Sequence, residues 1–329
     1  MVKRKSVIYF AVIAVFFSVL LVHQKAYSWG FWAHKRINRI AVFTLPPEML
    51  GFYKSNIEYI TEHAVDADKR RHSDKEEACR HYIDLDYYGE YPFDSLPRKW
   101  DSAVAKYTED TLKAYGIVPW HIQVMYYRLT QAFRLKDRNR ILKISSDIGH
   151  YIADAHVPLH TTMNYNGQMT GQHGLHAFWE SRLPELFGNN YNYFVGKAKY
   201  VDDPLSLAWN SVLESHKALD SVFNFEKELS RQFAEDKKYS YEERGSTTVR
   251  VYSKEYSKAY HDRMAGMVER RLRQSIFAVG CIWMSAWVDA GQPDLSNIVN
   301  KSLTDEEKKA LEKEEEEYRQ GRWLGRPEE

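Results

Sequence analysis

Residues 142–160 read LKISSDIGHYIADAHVPLH, and the fold and the chemistry both turn on this stretch. A helix running from Leu142 to Ala155 puts His150 and Asp154, four residues apart, on one face. Pro158 cannot continue such a helix, because it lacks the amide hydrogen and its ring clashes with the preceding turn. His160 then returns from the far side of the break. Two imidazoles and a carboxylate therefore converge on one helix end, which is a pattern of metal ligands more than of a surface ion pair.

The flanking sequence is helical almost throughout. Pro46-Pro47 opens a segment through His63 whose apolar residues Met49, Leu50, Tyr53, Ile57 and Ile60 recur near a 3.6 period. Pro119 opens another, through Phe133. Ile276 to Val288, with Trp283 and Trp287, is apolar on nearly every face; it is too short to span a bilayer and reads as a buried core helix, ended by Gly291 and Pro293. Alternating β-branched runs are nearly absent, the longest being Thr247 to Tyr252. The predicted class is all-α: a single mostly helical domain over residues 29–297. Ser302-Leu-Thr-Asp305 resembles a capping box and leads into Glu306 to Arg319, charged on all sides, so residues 298–329 read as a solvated helix or tail.

At the other end, Lys3, Arg4 and Lys5 precede an uncharged apolar run from Val7 to Val22. Ala26 and Ser28 then supply the small residues that a signal peptidase needs. The expectation is export to the periplasm or the extracellular space, with residues 1–28 removed and Trp29 as the new N-terminus; a retained anchor is the alternative. Net charge is +1, from 46 basic and 45 acidic residues, so no global field recruits a polyanion. Cys79 and Cys281 match no metal-binding spacing.

A His-x-x-x-Asp/Glu pair alone carries little weight. Composition yields about two by chance, and four occur: His72/Glu76, His150/Asp154, His176/Glu180 and His216/Asp220. Context singles out two. The stretch from His150 leads through a loop rich in Gly, Asn and Gln to His176-Ala-Phe-Trp-Glu180, a second helical pair. Earlier, Ala64-Val65-Asp66 and His81-Tyr82 supply another carboxylate and imidazole, and His34 follows Trp29 by five residues. His156, two residues past Asp154, points elsewhere and reads as structural. His173 lies in the Gly-rich loop, where substrate contact and plain exposure are equal readings. His63, His72, His121, His216 and His261 lack supporting context, and the aromatics Tyr82, Tyr165, Phe178 and Trp179 read first as core. The chain lacks the G-x-S-x-G elbow, the H-E-x-x-H helix and the P-loop.

Taken together, these motifs resemble the superfamily that joins bacterial zinc-dependent phospholipases C to the single-strand-specific zinc nucleases of fungi and plants. The resemblance covers Trp29 to Glu180, and more loosely the helix near Trp283. It implies a helical domain with three zinc ions in a cleft. The amine and carbonyl of Trp29, with His34, would hold one ion. Asp66, His81 and His150 would hold a second, with Asp68 able to compete for the place of Asp66. Asp154 would bridge those two, and His160, His176 and Glu180 would hold the third. Asp66 and Asp154 are the carboxylates nearest the implied reaction. Zinc suits such nitrogen and carboxylate donors. Three ions against three carboxylates leave a formal charge of about +3, suited to activating water against an anionic phosphodiester.

The branches differ in detail. Glu180, and a loop of only 16 positions from His160 to His176, match the phospholipases. The five-residue step from Trp29 to His34 matches the nucleases, and Gly30-Phe31-Trp32-Ala33 stands where the phospholipases tend to carry an acidic residue. The favoured expectation is a secreted, phospholipase C-like phosphodiester hydrolase. The alternatives are a single-strand nuclease or 3'-nucleotidase, and a catalytically silent zinc-binding protein. The implied partner is a phospholipid head group, or a single-stranded nucleic acid or nucleotide. No protein partner is implied, and the expected state is a monomer.

Overall fold

Among the described residues, seven helices of ten residues or more carry the fold: α1 (Phe31–Ala41), α2 (Val118–Arg134), α3 (Arg138–Asp154), α4 (Pro204–Lys217), α5 (Leu219–Ser230), α6 (Lys254–Arg263) and α7 (Met267–Asp289). The computed structural model describes residues 30–298 apart from 245 and 246, and five isolated positions further on (309, 312, 313, 316 and 320). Residues 1–29, with the expected export signal and Trp29, and nearly all of the charged tail lie outside the described residues.

Helix α3 is the hub, packed on α1, α2 and α7. Asp137 caps it, its carboxylate accepting from the Arg140 amide at 3.1 Å, so one of the four orphan donors of the first turn is satisfied. Its faces bury Ile141, Leu142, Ile148, Tyr151 and Ile152, and its last turn carries His150 and Asp154 into the interior. Helix α7 is the core helix expected from its composition, with Ile276, Val279, Ile282, Trp283 and Ala286 fully buried. Each large apolar side chain so buried contributes roughly 1.5–3 kcal/mol. Trp283 stacks on Tyr53 at 4.9 Å and donates to the Ser145 carbonyl, so its polar edge is satisfied as well. Among the described residues no helix is long and apolar enough to cross a membrane.

Two features depart from the sequence expectation. The Pro46–His63 segment is two helices, Pro47–Ser55 and Ile57–Glu62, because Asn56 turns its side-chain amide back to the Phe52 carbonyl at 2.8 Å and leaves the helical conformation. And Thr247–Tyr252 is indeed a strand, β2, paired antiparallel with β1 (Tyr239–Arg244). This hairpin holds a turn of the site: Arg182 reaches both carboxylate oxygens of Glu242 at 2.7 and 2.6 Å and the Tyr252 carbonyl at 3.2 Å. The fold is otherwise the mostly helical domain that the sequence implies.

Candidate metal centre

Three groups of buried side chains meet at the end of α3. His34, His150 and Asp154 form the first; Asp68, His81 and His150 the second; His160, His176 and Glu180 the third. The first two share His150 and are tied by Asp154, and the third adjoins them where His160 Nδ1 lies 3.8 Å from Asp154 Oδ1. Every member is at most 3 % exposed, so these are interior groups and not a surface cluster.

Local structure aims each donor. His34 comes from α1 and stacks on His150, centroids 3.8 Å apart. That approach requires Gly149, since a Cβ there would lie 2.1 Å from Asn38 Oδ1. The Nδ1–H of His150 donates to the Ala64 carbonyl at 2.9 Å, and that of His160 to the His81 carbonyl at 2.7 Å. Both rings therefore turn Nε2 into the centre, with the tautomer fixed by the backbone. His160 rides on a 3-10 turn, Pro158–Thr161, that the proline starts. His176 and Glu180 straddle a short helix that widens into a π turn at Phe178–Arg182, a local geometry common at functional sites.

The second group can be tested against a cation's needs. Around His81 Nδ1, His150 Nε2, Asp68 Oδ1 and Asp154 Oδ2, five of the six separations are 2.9, 3.1, 3.2, 3.4 and 3.7 Å. A tetrahedral zinc with bonds of about 2.0–2.1 Å has donor edges of roughly 3.3–3.4 Å. The arrangement fits. In the third group, Glu180 Oε2 lies 3.3 Å from His160 Nε2 and 3.1 Å from His176 Nε2. Asp154 divides its carboxylate: Oδ2 faces His81 and His150, while Oδ1 faces His34 at 3.4 Å and His160 at 3.8 Å. Both oxygens of Asp68, both ring nitrogens of His34, Asp154 Oδ1 and His160 Nε2 are buried and make no hydrogen bond. Buried polar atoms left so are costly, and a shared cation is the economical explanation.

Protonation follows the same crowding. Burial and the neighbouring His150 pull His34 down to about 4, which keeps it in the neutral, cation-binding form. Burial opposes charge on Asp154, but the His150 and His160 imidazoles outweigh it and hold the carboxyl well below its usual range.

Of the residues named from the sequence, His34, His81, His150, Asp154, His160, His176 and Glu180 are brought together; Trp29 lies outside the described residues. Asp66 is not among them. Its carboxylate pairs with His63 and Lys69, and Asp68 stands beside His81 and His150 instead. On the Asp66–Arg70 helix, residues two apart point to nearly opposite sides, so only one can face the centre. His156 is turned away: its Nδ1–H bonds the Ile152 carbonyl, its own carbonyl accepts from Arg271, and burial first, then the Arg271 charge, lowers its pKa to about 3. His173 is exposed, and Tyr82, Phe178 and Trp179 are buried. Sequence reasoning passed over Glu77, which lies fully buried behind His81; its only signal was the four-residue step to that histidine.

A mostly helical domain with adjoining imidazole and carboxylate groups at its centre is the architecture of metal-dependent phosphodiester hydrolases of the phospholipase C and P1 nuclease superfamily. The family model S1/P1 Nuclease matches residues 29–277, and the chain belongs to that family, whose members depend on zinc. No curated protein matches the chain.

Proposed function

We propose that the chain, exported and trimmed to Trp29, is a zinc-dependent hydrolase of phosphodiester bonds in single-stranded nucleic acid or nucleotides. The four-donor set around His81 and His150, with spacings suited to a tetrahedral ion, is the observation that carries the metal half of this reading. The family match supports the substrate half. In this assignment Asp68, His81, His150 and Asp154 bind one ion, and His160, His176 and Glu180 another. His34 and Asp154, completed by the amine and carbonyl of Trp29, bind a third. Asp68 thus takes the place that the family resemblance had given to Asp66.

When bound, zinc supplies Lewis-acid activation of water and stabilises charge on the phosphoryl and leaving oxygens. The protein's own part is to fix that centre. Asp154 ties two groups through its two oxygens, the backbone carbonyls of Ala64 and His81 fix two imidazoles, and burial keeps the donors from competing water. Glu180, the phospholipase-type carboxylate, favours a second reading in which a phospholipid head group is the substrate.

The mature protein should be assayed in parallel on single-stranded DNA, a 3'-nucleotide and phosphatidylcholine vesicles, with Asp154→Asn and His156→Ala as controls. Cleavage of the nucleic acid or nucleotide, lost in Asp154→Asn and retained in His156→Ala, is expected. Turnover of phosphatidylcholine alone would transfer the function to the lipid branch. Turnover of none of the three at full zinc loading would favour a silent zinc-binding protein.

A further inference from the structure

The geometry points to Glu77 as a positioning residue that holds His81 with Nδ1 toward the metal centre. This rests on the reading of the centre as a zinc site. His150 and His160 present Nε2 and anchor Nδ1 on backbone carbonyls. His81 is reversed: Nδ1 lies 2.9 Å from Asp154 Oδ2 and 3.1 Å from His150 Nε2, while Nε2 faces Glu77 Oε1 at 3.4 Å. A half-turn of the ring would interchange the two edges and spoil the donor set. Of these three imidazoles, His81 alone is oriented by a side chain that substitution can remove.

Glu77 is well placed for the task. Its carboxylate is fully buried, accepting from the Tyr151 hydroxyl on α3 through Oε1 and from Arg80 at 2.6 Å through Oε2, with Arg70 at 3.4 Å. Arg70 also reaches Asp147 at 3.1 Å and the Tyr151 hydroxyl at 3.2 Å. One carboxylate thereby joins the three segments that supply Asp68, His81 and the His150–Asp154 pair. Two guanidinium groups compensate its buried charge, without which such a group would be strongly unfavourable. Carboxylates behind a metal-bound imidazole set its orientation and raise its basicity, and losing one typically weakens metal binding roughly 10–100-fold.

The test compares Glu77→Asp with Tyr151→Phe. The aspartate keeps the charge that Arg70 and Arg80 require but withdraws it from His81 by one methylene. The phenylalanine removes the hydroxyl that competes for Oε1, and with it one contact of Arg70, and leaves Glu77 facing His81. Zinc affinity is read by competition with a chromophoric chelator, and the melting temperature of the chelator-treated protein reports the structural contribution. Glu77→Asp is expected to weaken the tightest affected site about tenfold or more, with Tyr151→Phe within about threefold of the parent. Equal losses in the two variants, or an unchanged affinity in Glu77→Asp, would overturn the proposal. If Glu77→Asp fails to fold, an at least tenfold loss in Tyr151→Phe would overturn it, and its retention within threefold supports it. No substrate enters the measurement, and failure of the parent to bind zinc at all would sink the metal reading instead.

Discussion

Asn38 of α1 sits directly on Gly149 of α3, so closely that a methyl group at 149 would lie 2.1 Å from its Oδ1 and 2.9 Å from its Cγ. The Asn38 amide donates to the Ser146 carbonyl at 3.0 Å, one turn before His150. This contact sets the distance between the helices that carry His34 and His150.

Gly149→Ala should therefore destabilise the protein although it raises helix propensity. The propensity gain is about 1 kcal/mol; overpacking a filled interior costs roughly 1–3 kcal/mol. The cost prevails because Asn38 cannot withdraw without giving up its bond to Ser146. A lowered melting temperature is expected, and in an Asn38→Ala background the same substitution should become neutral or stabilising. Additivity of the two changes in a double-mutant cycle would show that the contact is not felt.

Asp68→Asn should lose bound metal, whereas Asp66→Asn should keep it. Of the two, Asp68 is the one that stands 3.4 Å from His150 Nε2 and 3.7 Å from His81 Nδ1, while Asp66 serves a local pair with His63. Elemental analysis of the purified variants decides between them. Metal lost from Asp66→Asn and kept in Asp68→Asn would return Asp66 to the ligand set.

Much of the centre was legible because helix geometry is regular. His150 and Asp154 share a face at a four-residue step, and Pro158 forces the chain to bring His160 back, so the sequence alone places three donors. Within the five-residue Asp66–Arg70 helix the same regularity cannot say which of two acids faces inward, since that depends on tertiary packing of a short element. The Glu77 network was illegible for a related reason. Glu77, Arg70, Asp147 and Tyr151 come from separate segments, and their polarity reads as surface until the fold buries them together. The β1–β2 hairpin was visible only as one short strand, because its partner, Tyr239–Arg244, carries too many charges to read as β.

Acid should destabilise the protein partly through His121. Burial first, then the Arg80 charge, lowers its pKa to about 3, against 6.5 for the free side chain. Between those values the unfolded chain binds a proton that the folded one refuses. The contribution is therefore complete above pH 6.5 and drains as pH falls toward 3, by on the order of 3 kcal/mol at pH 4. His121→Phe preserves the edge-on contact with Tyr151 and removes the titration. Melting temperatures from pH 7 to pH 4 should fall less steeply in this variant than in the parent. Parallel curves would mean that His121 carries a proton in the folded state as readily as in the unfolded one.

An extra residue ahead of Trp29 should weaken metal binding at the His34 group. Among the described residues, that group offers His34 Nε2 and Asp154 Oδ1, 3.4 Å apart, and its third member, His150, already turns Nε2 toward Asp68 and His81. Two committed donors leave an ion under-coordinated. A Gly-Trp29 extension converts the Trp29 amine into an amide that binds a cation poorly. Metal content by elemental analysis should then fall by about one ion per chain relative to protein beginning at Trp29, with the other groups still loaded. Equal content in both forms would remove the terminal amine from the ligand set and leave His34 to find its partners elsewhere.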